Sequence, residues 1–227
     1  IKQELIGAKI FFINGELYDT KINFEGFYLK NSDQKIPSKS FPINETGLTG
    51  CLSLINSSVK NLSINVSNST CEDAVNFINS SGVLNTVFIN DSISDALDVD
   101  FSDLKFKEIK IKSAKNDCVD VSYGNYKIEK LYSENCGDKA LSVGEKSDLY
   151  LNEISSNNSK VGIASKDSST VNIKNSNFYS VETCLSAYKK KQEFEGGIIN
   201  FKNMNCKFLN KKINFDKFSL IRKVETI

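Results

Sequence analysis

The sequence predicts an all-β fold, a right-handed parallel β-helix of about 22 residues per coil. Three observations carry that reading. An aliphatic residue recurs as Val75, Leu97, Val119, Leu141, Ile163 and Leu185, each step being 22 residues. A small residue always precedes it (Ala74, Ala96, Cys118, Ala140, Gly162, Cys184), and a second column follows two residues on: Phe77, Val99, Val121, Val143, Ser165, Ala187. Between these columns lie short period-two runs separated by Asn, Ser, Asp and Gly, the pattern of strands with one buried face joined by tight turns. Right-handed winding follows from the crossover preference of parallel strands. A leucine-rich repeat lacks its signature here, sustained helical periodicity is missing, and a β-sandwich has no reason to keep columns at constant spacing.

Residues 1–50 are less regular. Segments 6–13 and 18–28 read as strands, whereas 31–50 holds both prolines, Pro37 and Pro42, and reads as a loop. This region is either the first coils or a cap on the open end of the core, which a solenoid requires. Residues 51–210 read as the regular coils. They begin with Cys51-Leu52-Ser53-Leu54, in frame but for one extra residue. Within the coils, Leu104/Phe106 then Ile109/Ile111, Tyr126/Ile128 then Leu131, Leu149/Leu151 then Ile154, and Val171/Ile173 read as further strands. Segment 188–197 reads as a loop bulging from the last clear coil, with Lys189, Lys190 and Lys191 followed by Glu193 and Glu195. Residues 211–227, carrying Lys211, Lys212, Lys217, Arg222 and Lys223, read as a solvated C-terminal cap. The whole is one elongated domain, 1–227.

Composition excludes several chemistries. The 29 basic and 28 acidic residues leave a net charge of +1, which gives no general attraction to nucleic acid or to a membrane surface. Histidine is absent, which removes Ser-His-Asp and Cys-His sites and any His-ligated zinc or haem. Arg222 is the single arginine, so bidentate clamps on phosphate or carboxylate are nearly excluded. No stretch approaches the roughly 20 apolar residues of a membrane helix. The chain starts at Ile1 rather than Met and reads as a piece of a longer protein.

Residues between the inward columns are expected to face outward. One such column is Asn76, Asp98, Asp120, Ser142, Ala164, Ser186; the next is Ile78, Asp100, Ser122, Gly144, Lys166, Tyr188. The turn before the strand adds Asp73, Asp95 and Asp117. Carboxylates stacked at the coil spacing repel unless a cation bridges them or a proton is retained. Asp95, Asp98, Asp117 and Asp120 are therefore the candidate ligands of a calcium ion, whose preference is for oxygen. Asp98, Asp100, Asp120, Lys139, Lys166 and Tyr188 are the candidate ligand-binding residues. Asp95, Asp117 and Lys166 are the candidate catalytic ones, Lys166 serving as a base only if burial lowers its pKa. The competing reading is a solvated face in which Asp and Asn pair with turn amides and nearby lysines. The face is expected to be acidic around Asp98 and basic around Lys166, and Tyr123, Tyr126, Tyr132, Tyr150 and Tyr188 offer stacking surfaces for sugar rings.

The cysteines fall into three local pairs, Cys51/Cys71, Cys118/Cys136 and Cys184/Cys206, separated by 20, 18 and 22 residues. Each separation is close to one coil, so the partners lie within disulfide reach. They are either cross-coil disulfides of an exported or cell-surface protein or small buried thiols. No C-x-x-C zinc motif occurs.

The phrases Gly50-Cys-Leu-Ser-Leu54, Cys71-Glu-Asp-Ala-Val-Asn76, Ser94-Asp-Ala-Leu-Asp-Val-Asp100, Gly137-Asp-Lys-Ala-Leu-Ser-Val-Gly-Glu145, Val161-Gly-Ile-Ala-Ser-Lys-Asp167 and Lys189-Lys-Lys-Gln-Glu-Phe194 cover about residues 48–200. They resemble a group of bacterial pectin-lyase-like β-helix domains, some of which accompany a spore-coat-protein-H-like (CotH) kinase-type domain. That group implies no catalytic residues, and no Gly-rich phosphate loop or kinase motif occurs in this chain. Polygalacturonases place N-T-D, D-D and G-H-G motifs on consecutive coils. Ser94-Asp95, Asn116-Asp117 and Gly137-Asp138-Lys139 resemble that order, but the second carboxylate and the histidine are missing. The expected function is a non-catalytic accessory domain that binds an extended polymer such as polysaccharide, or a rigid spacer. The alternative is a calcium-dependent polysaccharide lyase or a glycoside hydrolase acting on acidic polysaccharide.

Overall fold

The computed structural model describes residues 9–26 and 47–227. The expectations for residues 6–8, 27–28 and 31–46, with both prolines, lie outside them. Strand makes up 75% of the structure, with no helix among the described residues, in about 8 turns of roughly 22 residues. The chain is an all-β parallel β-solenoid.

The first coil contains β1 (Ile10–Ile13), β2 (Glu16–Tyr18) and β3 (Lys21–Glu25). Strands β4 (Gly50–Ile55) and β5 (Ser58–Ser69) make the next coil, then β6 (Asp73–Ile78) with β7 (Ser81–Ser92), and β8 (Asp95–Asp100) with β9 (Asp103–Ala114). After β10 (Val119–Ser122) the strands fuse into long ribbons: β11 (Asn125–Gly144), β12 (Asp148–Lys166), β13 (Thr170–Tyr188) and β14 (Ile198–Phe215), followed by β15 (Leu220–Lys223). Every pairing is parallel, coil on coil. Residues 10–25 are thus coil rather than cap: Ile10 pairs with Leu52, and Ile22 with Ile64. At the other end the ladder runs through Phe215, so residues 211–215 continue the stack.

The two inward columns are in register as the repeat requires. Leu52, Val75, Leu97 and Val119 are successive partners, as are Leu141, Ile163, Leu185 and Ile213. The last step spans more residues because segment 188–197 is inserted there. Leu52, Val75, Leu97, Leu141, Ile163 and Leu185 are fully buried. Corners appear where two consecutive residues face outward: in β9, Leu104 and Phe106 point in, Lys107 and Glu108 out, then Ile109 and Ile111 in. A second corner is a left-handed residue, occupied by Asn68, Asp91, Ser113, Asn135, Asn158 and Ser180 in successive coils. Asn and Asp tolerate this conformation because their short side chains bond locally, and Asn158 donates to Asn135 Oδ1 at 2.7 Å.

All three cysteine pairs are disulfides, with Cα–Cα distances of 5.3, 5.4 and 6.3 Å. Cys184–Cys206 joins its partner despite the inserted loop.

Candidate functional site

The candidate residues lie on the sheet built by β4, β6, β8, β10 and the C-terminal parts of β11, β12 and β13. The alternation places Asp98 and Asp120 side by side in the outward column, with Ser142 next. Asp100, Ser122 and Gly144 form the flanking column, which continues to Lys166 and Tyr188.

This face is not solvated in the expected way. Asn76 is 1% exposed, Ser142 and Ala164 are fully buried, and Lys166 is 5% exposed. Long side chains of the flanking column fold across it. Lys166 lies over Gly144, where a Cβ would stand 2.6 Å from Lys166 Cε and push the lysine aside. From there Lys166 Nζ reaches back to Asp120 Oδ2 at 3.6 Å. The basic end is not purely basic: Lys166 sits among Asp120, Glu145 and Tyr188.

The turn aspartates have a structural use. Asp95 Oδ1 accepts the N–H of Asp117 and the amide of Asn116, both at 2.7 Å. Asp117 Oδ1 accepts the N–H of Lys139 at 2.9 Å, while Lys139 Nζ lies 3.4 Å from both its carboxylate oxygens and also pairs with Asp138. Each turn carboxylate thus ties down the start of the next coil. Burial pushes Asp95 and Asp117 up to about 6 even so. The four proposed calcium ligands do not converge: Asp95 and Asp117 face turn amides, Asp98 faces Asn76, and Asp120 faces Lys166. Among the described residues no group of three or more acidic or other metal-binding side chains is arranged to hold a metal ion.

The lowered pKa that a base role for Lys166 requires is not the direction found. Burial pulls its pKa down, but the carboxylates of Asp120 and Glu145 outweigh that, and the net direction is up. The ammonium keeps its proton. Asp98 is the opposite case: burial raises its pKa well above the usual carboxylate range, and Asp73, Asp100 and Asp120 add repulsion. Asp120 is raised by burial too, but Lys166 opposes the rise. Asp73, buried beside Asp95 and Glu72, is pushed up to about 7. Tyr188 is half-buried, lies close to Lys139 and Lys166, and is raised by its own burial.

Several participants escaped the outward-column reading. Glu145, 8% exposed, holds Lys191 Nζ at 2.7 Å. Asp167, fully buried, accepts the N–H groups of Lys190 and Lys191 at 2.7 and 2.8 Å. Both residues are left-handed turn positions, φ 49° and 55°, where strand alternation no longer says which way a side chain points. Together they fold segment 188–197 back onto the turn ridge, with Phe194 against Tyr123 at 6.2 Å between ring centroids. Tyr123 in turn stacks on the exposed Phe101 at 4.7 Å. The other tyrosines are placed elsewhere. Tyr126 is buried with its hydroxyl donating to Ser122 O, and Tyr132 and Tyr150 are covered by Lys110 and Lys127.

At the N-terminal end of this face is a cavity of about 390 Å³, lined among others by Glu72, Asp73, Asn76, Asp95, Asp98 and Asp100. No protein-family model, curated protein or solved structure matches the chain.

Proposed function

We propose that the chain is a pectin-lyase-like β-helix domain of an exported or surface protein, of the group that accompanies spore-coat-protein-H-like kinase-type domains. Its role is to bind an extended polysaccharide along the β4–β13 face. The supporting observation is the pair of the buried Lys166 with the partly exposed Asp120, set beside Asp98, Asp100, Glu145 and Tyr188 on neighbouring coils. A spacer has no use for this arrangement, because removing charges from water costs several kcal/mol per ion. The coil step of about 4.8 Å presents one set of polar groups per coil, which suits a ligand that repeats along its length. Three disulfides fit an oxidising compartment.

Isothermal titration against a panel of neutral, acidic and amino-bearing oligosaccharides tests this. Binding is expected for at least one class, and Tyr188→Ala and Lys166→Met are expected to weaken it about tenfold, roughly 1.4 kcal/mol. Absence of binding across the panel rejects the proposal.

A hydrolase is the second reading, favoured by one observation. Asp98 and Asp120 are adjacent in register, one without a cation and the other facing Lys166. Neighbouring carboxyls, one beside an ammonium and one without, are the kind of acid and base pair that a glycosidase uses. Release of reducing ends that disappears in both Asp98→Asn and Asp120→Asn supports it; intact glycan after prolonged incubation removes it.

A further inference from the structure

The last coil leaves a step in the stack. Strand β15 stands on Ile198–Phe201 of β14, and the layer stops where Val224 N–H donates to Phe201 O. From Asn203 to Phe208, β14 pairs with β13 on one edge, and among the described residues no strand pairs with the other. At this step is a cavity of about 570 Å³, lined among others by Lys202, Met204, Asn205, Lys212, Ile213 and Lys223. Residues 224–227 do not line it.

The core is uncovered along the same edge. In earlier coils each residue of this inward column is covered by the next strand: Ile109 by Leu131, Leu131 by Ile154, Ile154 by Ser176. Ser176 and Phe178 are buried, but their partners Met204 and Cys206 are only partly so. A free strand edge beside a half-covered core column is what an added strand completes.

Charge selects the kind of strand. Lys202, Lys212 and Lys223 line the cavity, Lys207 and Lys211 flank it in sequence, and none of the five forms an ion pair among the described residues. After Gly197 the acids are Asp216 and Glu225, and neither lines the cavity. The same end of a second copy would bring the same cations and be repelled. A lipid surface could neutralise the lysines but would leave the edge N–H and C=O groups without partners.

We infer that this step takes one extended, acidic segment of a partner protein, added to β14 as a further strand of about six residues, the length of the free edge. Its backbone completes the edge, its alternate apolar side chains cover Met204 and Cys206, and its carboxylates meet Lys202, Lys212 and Lys223.

Fluorescence polarisation at pH 7 tests this with three labelled peptides: alternating valine and glutamate, alternating valine and lysine, and the glutamate peptide N-methylated throughout. The first is expected to bind, the second at least tenfold more weakly, and the third not at all. Lys212→Glu combined with Lys223→Glu is expected to weaken the first about tenfold. Lys60→Glu, an exposed lysine on β5 far from the step, leaves it unchanged. Hydrogen exchange is expected to show new protection within 203–208. Equal affinity for the glutamate and lysine peptides overturns the acidic strand, as does binding that survives N-methylation or protection confined elsewhere. A dimer in sedimentation velocity that excludes the peptide overturns it in favour of a second copy. Absence of peptide binding at millimolar concentration overturns it too, in favour of a lipid surface if phosphatidylserine vesicles bind instead.

Discussion

Asp98 is a half-buried carboxylate whose charged neighbours are further carboxylates, and apart from the Asn76 amide its surroundings oppose its ionisation. Burial raises its pKa first, and Asp73 on β6, Asp100 on its own strand, Asp120 on β10 and Asp95 at the turn raise it further. The sign of the consequence follows from linkage. A carboxyl whose folded pKa exceeds its unfolded value stabilises the fold below the unfolded value of 3.8. That stabilisation is lost as pH rises through the folded values, about 6 for Asp95 and Asp117 and about 7 for Asp73. Melting temperature is therefore expected to fall between pH 4 and pH 7.5. Asp98→Asn, measured by differential scanning calorimetry at pH 7.5, is expected to raise Tm by about 3 °C and to flatten the profile. An unchanged Tm would show that Asp98 is better solvated than its burial indicates. Lys166 is the contrasting residue: it is buried, yet its charge is matched by Asp120 and Glu145.

The insertion between β13 and β14 is the element that departs furthest from the repeat. It is held to the body at several points, among them Lys189 N–H on Asp216 and Glu195 N–H on Ser168. Asp167 accepts two successive N–H groups, Lys191 pairs with Glu145, and Phe194 rests on Tyr123 with Lys146 over its ring. The run Lys189, Lys190, Lys191 is an exposed trypsin target once released. Asp167→Ala is expected to speed limited trypsin cleavage there by about tenfold, since cleavage follows the population of the opened state. Cleavage at the wild-type rate would mean that the remaining anchors, Lys191 on Glu145, Lys189 on Asp216 and Glu195 on Ser168, hold the segment without Asp167. The insertion adds Phe194 to an aromatic wall with Phe101 and Tyr123; the β13–β14 register shifts around Val181, and Leu185 still pairs with Ile213.

Across the whole molecule three disulfides are spread along the stack, near its start, middle and end. Each closes about one coil. In the chain-entropy account a loop of this size is worth about 3 kcal/mol. A thiol count under denaturing, non-reducing conditions is expected to find none free, and dithiothreitol to lower the melting temperature; six free thiols would remove the case for an oxidising compartment. The stack itself was legible from sequence, because a parallel solenoid puts chemically equivalent residues one coil apart and packing then demands the same residue class at each step. The 22-residue columns, the strand corners and the cysteine pairs all follow from that one constraint. The candidate site was legible only as a set of positions. Alternation correctly put Asp98, Asp120 and Lys166 on one face, yet gave no sign that Lys166 crosses Gly144 to reach Asp120, that Asp95 and Asp117 are spent on turn amides, or that Glu145 and Asp167 turn inward. Those facts depend on side-chain reach, on left-handed turns and on burial, which act between coils and are set only when the coils are stacked. Sequence alone determined the solenoid and which cysteines lie one coil apart; the tertiary structure decided that those pairs are disulfides, which charges are paired, which are left without a cation, and where a cavity opens beside them.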